Sequence, residues 1–524
     1  MTEQKFYYVY RKDLGYYIVN TDTPYWDKDK KISRHRYKMV GKSYTKGGDI
    51  IFGPKYQLLM KEQEPVKAIR VSHTTDVGEL LICKKLVKQL GLVRYLNKAF
   101  GDEDAQKILA LSYYAIRTRK PLSHAEEWLT KHGLDPLSPP RISELLGRLS
   151  EDKLNTFFTS WIHKQVKKTS LCYDISSISS YAKHNPYIEK GYDRDQEKLK
   201  QIHLAMLSSK ANGIPVWYTP LQGSLHDSKT LKDVTAKLHK LDAGRFSYIM
   251  DRGFYSESNL QYLTKHNVKF LIPIPTRVKW GQKLIEEHRA VMFSNVEGFI
   301  IDPGEKLVQS ITVYKPMTDG SRAWVHIYYN RAARAAAEEQ FLRYYKTCYD
   351  EMKSGELEES HQSFYDEYFT YGYKTKNGRK VVPIKDPVQA FGERLDGYWC
   401  LYTTSEKDAR KAYREYQERN AIEVLFDDLK NGQDCKRLRV HTPKTMRGRL
   451  FIQFITLIIN TRLRQMITEH QEELKRYGSN PDTVLEKVST YTRTSFKGKY
   501  KDCYSTLTKA QEIIFTAFAI PLPK

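Results

Sequence analysis

Three carboxylates in this chain have the type and placement to hold divalent cations. Asp174 closes the run LCY, and Asp251 follows SYIM and precedes Arg-Gly, so each stands at the C-terminal edge of a strand-like segment. A strand fixes such a carboxylate and the following loop leaves it accessible; a lone aspartate there is ordinarily a turn residue. The third acid, Glu423, lies in YREYQERNAIEVLFDDLK, residues 413–430, which reads as one helix. Ile422, Leu425, Phe426 and Leu429 form its core-facing stripe. Beside that stripe Tyr416, Arg419, Glu423 and Lys430 are separated by three, four and seven residues. At roughly 100° per residue they share one arc of about 60°.

Three converging carboxylates suit a pair of Mg²⁺ ions, with Mn²⁺ as a substitute, because hard cations prefer oxygen ligands. Two such ions about 4 Å apart clamp the attacking and leaving oxygens of a phosphodiester. Without metal the acids repel one another, which links metal binding to catalysis. The ordinary reading of Glu423 is a surface ion pair with Arg419 or Lys430. Asp427, one turn further along the same helix, competes with Glu423 as third ligand, and spacing leaves the choice open.

The elements that must position these acids follow in order. Residues 1–70 are rich in Tyr, Lys and Gly with short alternating runs, which predicts a small basic β-rich module. Residues 71–168 read as short helices joined by Gly and Pro turns, GLDPLSPPRIS being the clearest break, and predict a helical bundle; helix-turn-helix readers and many other bundles share this pattern, and the expectation taken is a helical DNA-binding domain. From 169 to 275 the order is strand, strand, strand, helix, strand, helix, strand, the order of an RNase H-like α/β core with a mixed sheet flanked by helices. Residues 276–399 interrupt that rhythm and predict a β-rich insertion domain. The core resumes at 400–465 with the helix bearing Glu423, and 466–524 predicts a C-terminal helical region.

The net charge of +24 and pI near 9.4 favour a polyanionic partner. Residues 28–46 carry eight Lys or Arg against one acid, Asp29, and 435–468 carry eight against none. Within the second run Arg437, Arg439, Lys444 and Arg447 are candidate phosphate contacts. The longest apolar run, FIQFITLII at 451–459, is about half of a membrane span, and the N-terminus lacks the apolar core of a signal peptide. Six cysteines without a CxxC pair indicate neither zinc nor a disulfide framework. The expectation is a cytoplasmic protein with no membrane contact. HDSK at 226–229 and GYDRDQEK at 191–198 read as loops and caps.

Tyr416-x2-Arg419-x3-Glu423-x6-Lys430 matches without a gap the Y-(2)-R-(3)-E-(6)-K signature of the IS4-type DDE transposases, and DRG at 251–253 and YD at 173–174 resemble that superfamily's first two acidic motifs. GYDRDQEKLKQIHLAM and RLRVHTPKTMRGRLFIQFITLII look most like the IS1634 branch. The resemblance implies Asp174, Asp251 and Glu423 as catalytic metal ligands. It implies Arg419 and Lys430 on the phosphates flanking the scissile bond, Arg as a fork and Lys as a point charge, with Tyr416 hydrogen-bonding a phosphate. It also implies a tryptophan stacked on a flipped base. YWCLYTTSE at 398–406 points to Trp399, with Trp280 and Trp324 as alternatives and a buried strand aromatic as the competing explanation.

The function so implied is cut-and-paste transposition of an insertion sequence through a hairpin intermediate, on double-stranded terminal inverted repeats and target DNA. A homodimer in a synaptic complex and a bacterial or archaeal, nucleoid-associated setting go with it. A stand-alone RNase H-like nuclease would need the acids but not the Tyr-Arg-Lys face. An inactive, transposase-derived DNA-binding protein would have no physical reason to keep three acids together.

Overall fold

In the computed structural model the residues described are 5–57, 71–166, 170–182, 185–191, 199–294, 296–301, 304, 306–375, 378–433 and 435–521. They form two compact units, Met1–His73 with Ser495–Asp502, and Thr74–Thr494 with Cys503–Lys524. GYDRDQEK, apart from Gly191, lies outside the described residues.

The first unit is built on an antiparallel sheet of four strands in sequential order: β1 (Phe6–Arg11), β2 (Tyr16–Asp27), β3 (Ile32–Ser43) and β4 (Ile51–Phe52). Among its described residues Val19 and Val40 are the buried apolar side chains. β1 pairs with Tyr16–Thr21, so among the described residues the far halves of β2 and β3 continue as a two-stranded ribbon.

The second unit is organised on a nine-stranded mixed sheet. Its first half runs β5 (Ser170–Ser179), β6 (Gln201–Ser209), β7 (Pro215–Gln222), a helix (Asp227–Lys240), β8 (Ser247–Met250), a helix (Glu257–Lys265) and β9 (Lys269–Ile274). β8 lies between β5 and β9 and is parallel to both, while β6 and β7 add antiparallel on the far side of β5. β6 is buried along its whole length, as the apolar run QIHLAMLSS requires.

The region expected as an insertion divides in two. β10 (Phe299–Ile301), β11 (Leu307–Tyr314) and β12 (Trp324–Asn330) extend the same sheet, joined to β9 through β15 (Tyr398–Thr403). Between β12 and β15 stand a 24-residue helix, Arg331–Ser354, two shorter helices and the hairpin β13 (Phe369–Thr375)–β14 (Gly378–Pro383). This part carries its own small core around Phe341, Tyr345, Tyr365 and Phe391. The strand signals at 299–330 were real; their pairing partner is the core sheet, a long-range choice that alternation does not encode.

The helices between Gly78 and Gln165 share one hydrophobic core with the sheet rather than enclosing a separate one. Trp161, fully buried, donates its indole N–H to the Pro215 carbonyl at 2.9 Å, and Phe158 packs edge-on against Trp217 and Tyr218. The helix Pro443–Glu469 passes across the boundary expected at 466, and FIQFITLII is buried within it. Among the described residues no helix is long and apolar enough to cross a membrane.

Gly448 of that helix faces the backbone of Leu146. A Cβ there would stand 2.3 Å from the Leu146 carbonyl oxygen and 2.6 Å from its Cα. Gly448→Ala therefore drives the two helices apart, and chemical denaturation should show a loss of about 2–3 kcal/mol. An unchanged denaturation midpoint would mean that this helix contact yields freely.

Candidate active site

Asp174 is the fifth residue of β5 rather than its last. β5 runs on, paired with β6, after its parallel neighbour β8 has stopped at Met250. Tyr173 is opposite Met250, so Asp174 and Asp251 are consecutive to a register pair and stand side by side where β8 ends. Asp174 accepts from the Ile175 N–H at 2.8 Å, and Asp251 accepts from the Arg252 N–H at 2.6 Å, capping the short turn Arg252–Phe254. Backbone donors thus hold both carboxylates.

The segment 413–430 is not one helix. Ala409–Gln417 ends at Glu418, and Asn420–Asp427 begins after Arg419. Tight i→i+3 bonds, Arg419 N–H to Tyr416 O at 3.1 Å and Ile422 N–H to Arg419 O at 3.0 Å, form the joint. A π-helical turn, Asp428–Gly432, follows, with Gln433 N–H on Asp428 O at 2.9 Å. Ile422, Leu425, Phe426 and Leu429 are buried as the stripe requires. Lys430, however, lies in the π turn, so its spacing of seven from Glu423 no longer places it on a common α-helical arc. Local backbone bonding changed the period, and residue spacing alone cannot report that.

The joint brings Arg419 into the site. Its guanidinium contacts Asp174 Oδ2 at 3.3 Å through Nη1 and Glu423 Oε1 through Nη2, and it lies over the Tyr416 ring at 5.8 Å. Burial opposes its charge, yet Tyr416, Asp174, Glu423 and Asp251 outweigh burial and raise its pKa. Burial raises the Tyr416 phenol, with Arg419 opposing and Asp251 and Glu423 reinforcing the shift. Asp174, Asp251, Glu423, Arg419 and Tyr416 are therefore one electrostatic cluster. Among the described residues the three acids do not all lie within 4.8 Å of one another, the spread at which a single ion would bind all three. Arg419 stands between two of them. The donor set, three carboxylates on three separate elements, fits hard divalent ions.

Asp427 is placed elsewhere. It accepts from Asn431 at 2.6 Å and lines a cavity with Arg119, Asn480 and Asp482. The next residue, Asp428, was missed by spacing. It is buried, accepts a fork from Arg464 (one bond at 3.2 Å) and a bond from Asn460 at 2.9 Å, and so anchors the site helix to Pro443–Glu469. A carboxylate beside the apolar stripe was the available signal, because a buried acid demands a cation.

The basic run at 435–468 divides by environment. Arg437, Arg439 and Lys444 are exposed, and Arg437 lies over the Tyr181 ring at 5.3 Å. Leu438 donates its N–H to the Ser179 carbonyl at 2.8 Å, and Ser179 donates to the Lys436 carbonyl at 3.1 Å, which holds this stretch beside the end of β5. Arg447 is half-buried and 3.7 Å from Glu151; Arg449 is buried; Arg462 and Arg464 pair with Glu469 and Asp428. Arg449, Arg462 and Arg464 are thus engaged within the fold.

Trp399 sits in β15 at the sheet end where Asp251 lies, stacked on Tyr328 at 5.3 Å and 18°. It borders an open cavity of about 620 Å³ with Arg277, Glu286 and Arg394. Trp280 is committed otherwise, donating to the Tyr255 hydroxyl at 3.1 Å beneath Lys315, and Trp324 packs edge-on to Tyr314. In the HDSK stretch, His226 precedes the helix that Asp227 begins.

Arg419→Gln tests the cluster directly. Without divalent ions the three acids lose their shared cation, so thermal stability should fall relative to wild type, and added Mg²⁺ should raise the melting temperature more in the variant. Equal metal responses in the two proteins would show that Arg419 and the ions do not share these carboxylates.

A family model described as Transposase DDE domain matches residues 169–459. No curated protein matches the chain. Among solved structures, a cryo-EM piggyBac transposase synaptic complex with hairpin DNA is similar over 85% of this chain and 77% of that one, at 9% identity and a TM-score of 0.36.

Proposed function

The chain belongs to the DDE transposase family, and from that premise we propose that it is a cut-and-paste enzyme of the IS4 type, most like the IS1634 branch. As a DNA transposase it acts on DNA with divalent metal ions; the proposal specifies Mg²⁺, two ions per site, and an RNase H-like core. The observation that carries the reading is the Arg419 guanidinium between Asp174 and Glu423, with Asp251 beside Asp174.

In this reading Asp174, Asp251 and Glu423 hold the ions, which supply Lewis-acid stabilisation of the phosphodiester oxygens. β5 and the end of β8 keep the two aspartates in register, and the apolar stripe with the Asp428 anchor fixes Glu423 against them. Arg419 offsets the repulsion among the acids before DNA arrives and, with Tyr416 and Lys430, grips phosphates flanking the scissile bond. Arg437, Arg439, Lys444 and Arg447 extend phosphate contact beyond it. Trp399, beside its open cavity, stacks on a base displaced near the cut. The chain binds its element's terminal inverted repeats; water hydrolyses one strand, and the freed 3′-OH attacks the opposite strand's phosphorus, forming the hairpin phosphodiester as the flanking strand leaves with a 3′-OH. Two ends held together require a homodimer in a synaptic complex, in a bacterial or archaeal cytoplasm at the nucleoid.

The test is Mg²⁺-dependent cleavage of a duplex carrying the element's own end, resolved on a denaturing gel. A nick followed by a hairpin is the expected result. Cleavage without a hairpin removes the IS4-type route and leaves a nuclease; binding without cleavage leaves an inactive DNA-binding protein.

A further inference from the structure

The ribbon formed by the far halves of β2 and β3 has no explanation in the stability of its own sheet. Among the described residues it has, beyond the Phe6–Thr21 pair, two strands and no core, and isolated two-stranded ribbons are at best marginally stable. It nevertheless exposes large apolar side chains, Trp26 at 61%, Tyr37 at 59% and Met39 at 56%. Residues 23–38 also carry six Lys or Arg against two acids.

Register sorts these side chains. Pairing of Tyr25 with Arg34, Thr23 with Arg36 and Thr21 with Lys38 places Arg34, Arg36 and Lys38 on one face. Directly paired residues in an antiparallel ladder share a face. Arg36 lies over the Tyr25 ring at 5.0 Å, and Arg34 is 3.2 Å from Asp27. The opposite face carries Asp22 with His35 at 2.7 Å, Tyr37 stacked beside His35, and Trp26. The turn adds Lys28, Lys30 and Lys31, ordered by the Asp27 carboxylate, which accepts from the Asp29 and Lys30 N–H groups.

We propose that this ribbon is a duplex-DNA contact, with Arg34, Arg36 and Lys38 meeting the phosphate backbone. Alternate positions on a strand are about 7 Å apart, two steps of axial rise along one DNA strand. A two-stranded ribbon is also the β element that the major groove admits. Charge complementarity selects DNA over an apolar partner: three cations project in a row, and the one acid on their face is already paired with Arg34. The choice of DNA rests on the transposase reading; the geometry of the ribbon does not.

The full-length protein, wild type and R34Q/R36Q/K38Q, is titrated by fluorescence anisotropy with a duplex carrying the element's end and with an unrelated duplex, across a salt series. The triple variant should bind both duplexes at least about tenfold more weakly at physiological salt, with a log K against log salt slope shallower by about 2–3. The charge-keeping variant R34K/R36K should retain most of the slope, which separates lost charge from lost folding. An unchanged slope with the triple variant overturns the proposal, as does a change confined to self-association in sedimentation, which would make the ribbon a contact between copies. Wild type that binds neither duplex would instead defeat the transposase reading.

Discussion

Asp174→Asn and Glu423→Gln each reduce Mg²⁺-dependent strand cleavage by roughly a thousandfold or more, corresponding to about 4 kcal/mol of lost transition-state stabilisation. Both substitutions keep shape and remove charge. Asp174 is held by a backbone donor and by Arg419, and Glu423 by Arg419, so neither amide should unfold its surroundings. Glu423 is half exposed, and losing an ion pair of that kind changes stability by under about 1 kcal/mol. The signature is therefore lost cleavage with retained DNA binding and an unchanged denaturation midpoint. Asp427→Asn is the control. Its carboxylate is bonded to Asn431 and faces the cavity shared with Arg119, so cleavage should persist within a few-fold of wild type. Single-turnover cleavage on a labelled end duplex reads all three. A Glu423→Gln enzyme that cuts normally beside an Asp427→Asn enzyme that does not would move the third ligand one turn along.

Arg464→Ala is expected to cost about 2–3 kcal/mol at neutral pH. Breaking a buried ion pair leaves an uncompensated charge, usually worth more, but Arg464 is itself two-fifths exposed, which moderates the loss. Its partner Asp428 is 6% exposed. Burial raises the Asp428 pKa, with Arg464 and Asn460 opposing. The sign follows from linkage: a carboxyl whose folded pKa lies above its unfolded value favours folding when protonated, and that contribution is lost as pH rises through the folded value. Removing Arg464 raises the folded pKa further. The penalty should thus be largest above that pKa and shrink as pH falls toward the unfolded value near 3.8. Arg464→Ala combined with Asp428→Asn should recover part of the loss at neutral pH. Urea denaturation at several pH values tests this, and a pH-independent penalty would contradict it. Because Asp428 anchors the turn that follows Glu423, cleavage should fall as well, with binding of ions weakened more than binding of DNA.

Much of this architecture was legible in the chain. SLCYDISSIS, QIHLAMLSS and SYIM announce strands through apolar content and β-branched residues, and they are strands within a residue or two. The stripe from Ile422 to Leu429 announced a packed helix face, and those side chains are buried. Less legible was Asp174 as a mid-strand residue, because nothing local records that β5 outlasts the neighbour it pairs with. The strands at 299–330 were visible as strands, while their membership of the core sheet was not. The eight cations after residue 435 looked alike; burial and distant acids divide them.

The sequence by itself determined the residue types available for chemistry, the order of strands and helices around them, and the faces that had to be buried. Those follow from side-chain chemistry and from periods of two and 3.6 residues, which neighbours in the chain express. Only the tertiary structure decided that the site helix breaks at Arg419, turns π-helical at Asp428, and sets one guanidinium between two acids. Asp174 and Arg419 are 245 positions apart, and Asp428 and Arg464 are 36 apart. Partners that distant are chosen by packing, since the cost of burying a charge unpaired is settled only when the elements that carry both charges meet.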